Sequence, residues 1–193
     1  MAEKLIAITG GIGSGKSLAL STLENAGYQT ASSDRITAEL YNKQTVLRKI
    51  KKLFPFAVSG FFKLKVDRKK IADTVFNDKA KLKKLADLIT PLVVKEIEKR
   101  AKTVSGKFFA EVPVLFEYSY QNRFDKIIVI TRPLESRIES VKKRSNLTET
   151  QILERINNQI NYEKADLSNY SVIVNDGDAP AFEQKVLKLA EDI

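Results

Sequence analysis

Eight consecutive residues, Gly10-Gly11-Ile12-Gly13-Ser14-Gly15-Lys16-Ser17, have the types and spacing of an anion cradle. They satisfy Gly-x-x-x-x-Gly-Lys-Ser. Glycines admit the backbone angles that turn successive N–H groups inward, Lys16 can reach outer phosphates, and the Ser17 hydroxyl can ligate Mg²⁺. A helix beginning at Lys16 adds the positive end of its dipole. The expected ligand is a nucleoside triphosphate with Mg²⁺. By itself the loop leaves kinases, GTPases, ATPase motors and helicases open.

Transfer to a hydroxyl needs a base that orients or deprotonates the nucleophile. The chain has no histidine and no cysteine, so the base is expected to be Asp or Glu, and thiolate chemistry, disulfides and zinc-cysteine sites are excluded. Asp34 is the leading candidate. It follows a short run, Tyr28 to Ala31, that reads as a strand, and in open parallel sheets the carboxyl ends of strands share one crevice. The alternative is that Asp34 caps the following helix.

Positioning these groups requires a parallel sheet with helical crossovers. Leu5 to Thr9 is a continuous apolar run of the kind found in a buried parallel strand, and Lys16 to Ala26 has helical spacing with Gly27 as its stop. Further strands are expected at Phe108 to Val112, Lys126 to Thr131 and Ser171 to Asn175, with a last helix from about Ala179. Between residues 35 and 104 the pattern is almost entirely helical: Asp67 and Asp78 are expected to open helices, and Thr90-Pro91 to start another. A polar helical stretch, Leu134 to Tyr162, contains a Thr148-Glu149-Thr150-Gln151 capping box. The expected fold is α/β of the P-loop NTPase type: a five-stranded parallel sheet flanked by helices, with a helical insertion and a helical lid. The nucleotide-binding core would comprise 1–34, 105–133 and 166–193, the insertion 35–104 and the lid 134–165.

Several separate blocks together resemble the dephospho-CoA kinase family over nearly the whole chain. These are Thr9 to Ser17, Ser32-Ser33-Asp34, Val66-Asp67-Arg68 with Ile71 and Val75-Phe76, Val112-Pro113-Val114-Leu115-Phe116-Glu117, Arg155 to Gln159 with Glu163 to Asp166, and Asn175-Asp176-Gly177. The resemblance implies that ATP phosphorylates the ribose 3′-hydroxyl of dephospho-CoA, giving coenzyme A and ADP. It makes Asp34 the base, assisted by Lys16, with Arg144 bringing positive charge onto the transferring phosphoryl. Gly11, Ile12, Gly13, Ser14, Gly15, Lys16, Ser17 and Leu18 would hold the nucleotide, with Asn175 and Gly177 bordering adenine and Ser17 on Mg²⁺. The acceptor would meet Asp34, Asp67, Arg68, Thr90, Pro113, Leu115, Phe116 and Glu117.

Four positions depart from the family pattern. Thr90-Pro91 stands where His-Pro is common, Ser32 replaces the first Asp of the Asp34 motif, and Phe54-Pro55 replaces Phe-Gly. Ser140 takes the place of a frequent lid arginine, leaving Arg144, Arg155 or Arg137 to serve.

The 193 residues carry a net charge of +9, which suits an anionic partner. The basic residues are spread over many helices and no nucleic-acid motif is present, so a phosphorylated small molecule is expected, with neither nucleic acid nor membrane as partner. No apolar run is long enough to span a bilayer and no signal peptide is apparent, which points to the cytoplasm. A monomer or weak homo-oligomer is expected. Most of the aromatics, Phe61, Phe62, Phe108, Phe109, Phe116, Tyr118, Tyr120 and Phe124, are expected in the core. The rival enzymatic reading is a nucleoside or nucleoside-monophosphate kinase.

Overall fold

In the computed structural model, residues 2–76, 78–145 and 147–193 are described. They divide into two compact units, one of residues 1–32 with 101–193 and one of residues 33–100.

The first unit is built on β1 (Lys4–Gly10), whose Ile6, Ala7 and Ile8 are buried. A strand this apolar is stable only with both faces covered. It is followed by α1 (Lys16–Asn25) and β2 (Gln29–Ser32). The chain returns to this unit in β5 (Lys107–Glu111), β6 (Lys126–Thr131) and β7 (Ser171–Val174), the last leading to α8 (Ala179–Asp192). The five strands form one sheet in the order β2-β5-β1-β6-β7, all pairs parallel. On one face Ile6, Ile8, Phe109, Ile128 and Ile130 meet Leu20 and Leu23 of α1 and Phe182 and Val186 of α8 in a single apolar cluster.

Parallel pairing brings the carboxyl ends of three strands to one edge. Glu111 is in register with Ile8 of β1 and with Ser32 of β2, while Gly10 is in register with Ile130 of β6. The phosphate loop leaves β1 at this edge. Between β6 and β7 run α6 (Leu134–Arg144) and α7 (Glu149–Asn157). Thr148 and Gln151 form the expected capping box on α7.

The second unit contains α2 (Ser33–Leu40), α3 (Gln44–Leu53), β3 (Val58–Ser59), β4 (Lys65–Val66), α4 (Arg68–Phe76) and α5 (Lys79–Ala101). Asp67 accepts the Lys70 N–H at 3.0 Å and Asp78 the Lys81 N–H at 3.0 Å, opening α4 and α5 as expected. Two expectations fail here. Thr90-Pro91 does not begin a helix but lies inside the 23-residue α5. Pro91 removes one backbone bond, and burial of Ile89, Val93, Val94 and Ile97 on the continuing face offsets that loss. Residues 58–66 form an antiparallel hairpin of β3 with β4, and Phe61 and Phe62 at its turn are 92% and 96% exposed instead of buried.

Candidate active site

Gly15 precedes α1 with φ of 111°, and no side chain caps the helix. Its first N–H groups therefore point at the loop's interior with no side chain in the way, as an anion site requires. The loop is held in shape from three sides. Asn175, immediately after β7, donates its Nδ2 to Ser14 O at 2.8 Å, and a Cβ on Gly15 would come within 2.4 Å of that nitrogen. Arg137 of α6 donates Nε to Ile12 O at 2.9 Å, and its guanidinium lies where a Gly11 Cβ would project. Gln159 accepts the Ile12 N–H at 2.7 Å. The Arg137 and Asn175 side chains thus crowd positions 11 and 15, and the positive φ at 15 calls for glycine there.

Lys16 is buried, with Nζ donating to Gly10 O and Gly11 O at 2.9 Å each. Its ammonium is folded onto the loop's carbonyls, at the position from which a bound polyphosphate would draw it. Ser17 Oγ donates to Glu111 Oε1 at 3.2 Å, and Ser32 Oγ lies 3.5 Å from Glu111 Oε2. Glu111 is only 6% exposed. Ser32, the departure from the family's Asp, thereby sits beside a carboxylate supplied by the neighbouring strand. A hydroxyl and a carboxylate are hard oxygen donors that suit Mg²⁺, which keeps several of its waters and needs few protein ligands. Among the described residues no cluster of three or more Asp, Glu, His or Cys could form a fuller metal cage.

Of the three arginines Arg137, Arg144 and Arg155 on α6 and α7, Arg137 is the one set against the loop. It is 6% exposed, and burial holds its guanidinium below its ordinary pKa, opposed by Glu163 and Tyr162. Arg144 ends α6 with an exposed side chain. Arg155 is half-buried, and burial together with the charge of Arg144 depresses its pKa. Tyr162 lies 3.3 Å from Thr9 Oγ1 through its hydroxyl, and burial pushes its pKa up to about 12 despite that hydrogen bond.

Beyond β5, Leu115 is fully buried and Pro113 half-buried. Phe116 packs against Tyr170 and Tyr162, with centroids 5.2 and 6.1 Å apart. Glu117 Oε1 accepts the Ile160 N–H at 3.1 Å, whereas its buried Oε2 has no partner among the described residues. Leu18 is half-buried and packs its side chain against the core cluster. Gly177 is exposed, with only Ala181 near a would-be Cβ.

The remaining predicted site residues belong to the second unit. Asp34 is exposed at the second residue of α2, so it is within the first helical turn and not at its cap. Asp67 is the α4 cap already described. Arg68 donates to Ala38 O at 2.9 Å and lies 5.6 Å from the centre of the Tyr41 ring. Thr90 is half-buried in mid-helix. Sequence reasoning missed Glu111 and the side-chain role of Asn175. The signal for Glu111 was a lone charge ending the otherwise apolar Phe108-Phe109-Ala110 run.

A parallel sheet whose central strand runs into this loop, with an uncapped helix, a buried lysine and the helices α6 and α7 beyond, defines a P-loop kinase. Residues 4–181 match the dephospho-CoA kinase family. A dephospho-CoA kinase of Thermus thermophilus is 34% identical over 152 residues, covering 78% of this chain and 72% of that one. One from Fusobacterium nucleatum is 30% identical over the full length of both. The solved dephospho-CoA kinase from Campylobacter jejuni superposes with a TM-score of 0.69 at 25% identity, covering 100% of this chain and 97% of that one. The chain belongs to the dephospho-CoA kinase family and is a kinase acting on dephospho-CoA to give coenzyme A.

Proposed function

We propose that the chain transfers the γ-phosphoryl of ATP to the ribose 3′-hydroxyl of dephospho-CoA using the loop Gly11 to Ser17, with Asp34 as base. The observation that carries the nucleotide half is the uncapped start of α1 with Lys16 buried beneath the loop. The backbone N–H groups hold the β- and γ-phosphates while Lys16 exchanges its carbonyl partners for phosphate oxygens. Ser17 and Glu111 would hold Mg²⁺, which would supply neutralisation of the charge developing on the phosphates.

Asp34 accepts the proton of the 3′-hydroxyl. The assignment rests on its place two residues beyond Ser32 and on its match to the second Asp of the family motif. Residues 35–104, including Asp67, Arg68 and Thr90, bind the CoA portion, with Pro113, Leu115, Phe116 and Glu117 contributing from the core. Residues 134–165 act as a lid in which Arg137 clasps the loop and Arg144 supplies charge to the transferring phosphoryl. Asn175 buttresses the loop, and its neighbour Gly177 leaves room for adenine. Cytoplasmic location is part of this reading; among the described residues no helix is long and apolar enough to cross a membrane.

Asp34→Asn tests the base. Turnover should fall by about two to four orders of magnitude while ATP binding by calorimetry stays within a few-fold. Near-normal turnover would remove Asp34 from that role.

A further inference from the structure

Basic residues occur along the whole chain, but their excess over acidic ones does not. Residues 44–70 contain nine Lys and Arg against one acidic residue, Asp67, and so hold eight of the chain's nine net positive charges. The same segment contains four of the large apolar side chains that stand exposed: Leu53 at 40%, Phe56 at 54%, Phe61 at 92% and Phe62 at 96%. The two fully exposed rings sit side by side at the turn of the β3–β4 hairpin, edge to face with centroids 5.1 Å apart. Lys63 and Lys65 follow them on the same ribbon, both exposed. The turn is a built structure: Gln44 brackets Leu64 with two hydrogen bonds, accepting its N–H at 2.9 Å and donating to its carbonyl at 3.1 Å. Leaving two phenylalanines in water beside lysines gains nothing for folding, and neither ring takes part in the nucleotide loop.

We infer that this hairpin docks the enzyme on an anionic lipid surface, Phe61 and Phe62 entering the headgroup boundary while Lys63, Lys65 and the lysines of α3 meet lipid phosphates. Aromatic rings partition to the membrane interface, and clustered lysines recognise its negative charge. The charge decides the occupant: a neutral apolar partner would gain nothing from a segment with a net excess of eight positive charges. The rings also oppose a nucleic-acid reading, because two edge-to-face rings give a wedge and not the open faces on which successive bases stack. This proposal departs from the sequence-based expectation of no membrane partner, with docking peripheral and reversible.

The test is co-sedimentation of the full chain with vesicles of phosphatidylcholine alone and of phosphatidylcholine mixed with phosphatidylglycerol, alongside solution kinase activity and size-exclusion light scattering. Binding to the mixed vesicles only, weakened by salt, is expected. Phe61→Ser with Phe62→Ser should lower partition about a hundredfold, and Lys63→Gln with Lys65→Gln roughly tenfold. The inference is overturned if mixed vesicles are not bound, or if the phenylalanine substitutions leave binding intact. It is equally overturned if the wild-type chain forms a dimer that those substitutions dissolve without any vesicle binding, or if it binds a single-stranded oligonucleotide in preference to the vesicles.

Discussion

The Ser17 hydroxyl donates to Glu111 Oε1 at 3.2 Å, joining a loop residue to a strand end 94 positions away. The contact exists because β1 and β5 pair in parallel, so both strands end at the edge where the loop begins. It gives Ser17 a carboxylate neighbour although Ser32 replaces the acidic residue expected on β2.

Glu111→Gln keeps the side chain's shape and removes its charge. The Mg²⁺ concentration for half-maximal activity should rise about ten- to hundredfold. Mn²⁺ binding followed by electron paramagnetic resonance should weaken in parallel. Metal affinity equal to wild type would show that Glu111 only tethers Ser17.

Arg137 and Arg144 should separate cleanly. Arg137 is buried against the loop and holds Ile12 O, so Arg137→Ala should cost about 2 kcal/mol of stability and weaken nucleotide binding. Arg144 is exposed at the end of α6. Arg144→Ala should leave the melting temperature unchanged and lower kcat about a hundredfold. Thermal melts beside steady-state kinetics decide; a large melting shift for Arg144→Ala would contradict the division of roles.

Tyr162 offers a pH signature. Burial raises its pKa from 10.0 in the unfolded chain to about 12 in the fold. Between those values the unfolded chain has lost the proton that the folded one retains, so this contribution is complete below pH 10 and is lost as pH rises toward 12. Tyr162→Phe should flatten the fall in stability across that window, by up to about 2 kcal/mol. Denaturant titrations at several alkaline pH values check it, and identical slopes for both proteins would refute it.

The loop and the five core strands were legible in the sequence because local rules dictate them. Positive φ and close contacts leave Gly15 no substitute, and continuous apolar runs have few uses other than buried strands. The capping box at Thr148 was legible for the same reason. Pro91 misled because local propensity favours a helix start there, while tertiary burial of Ile89 and Val93 carried the helix through. Glu111 escaped notice because its meaning lies in partners brought by strand pairing, and the buttressing role of the Asn175 side chain because its amide reaches back across 161 positions to Ser14 O. Phe61 and Phe62 were assigned to the core by residue type alone, and only the hairpin shows that they face solvent.

The central claim is the acceptor, and one assay addresses it most directly: coupled detection of ADP release from Mg²⁺-ATP with dephospho-CoA, nucleosides and nucleoside monophosphates offered separately. Dephospho-CoA should stimulate turnover well above every other acceptor, and the product should carry phosphate on the ribose 3′-oxygen. Stimulation by a nucleoside or nucleotide with none by dephospho-CoA would contradict the account.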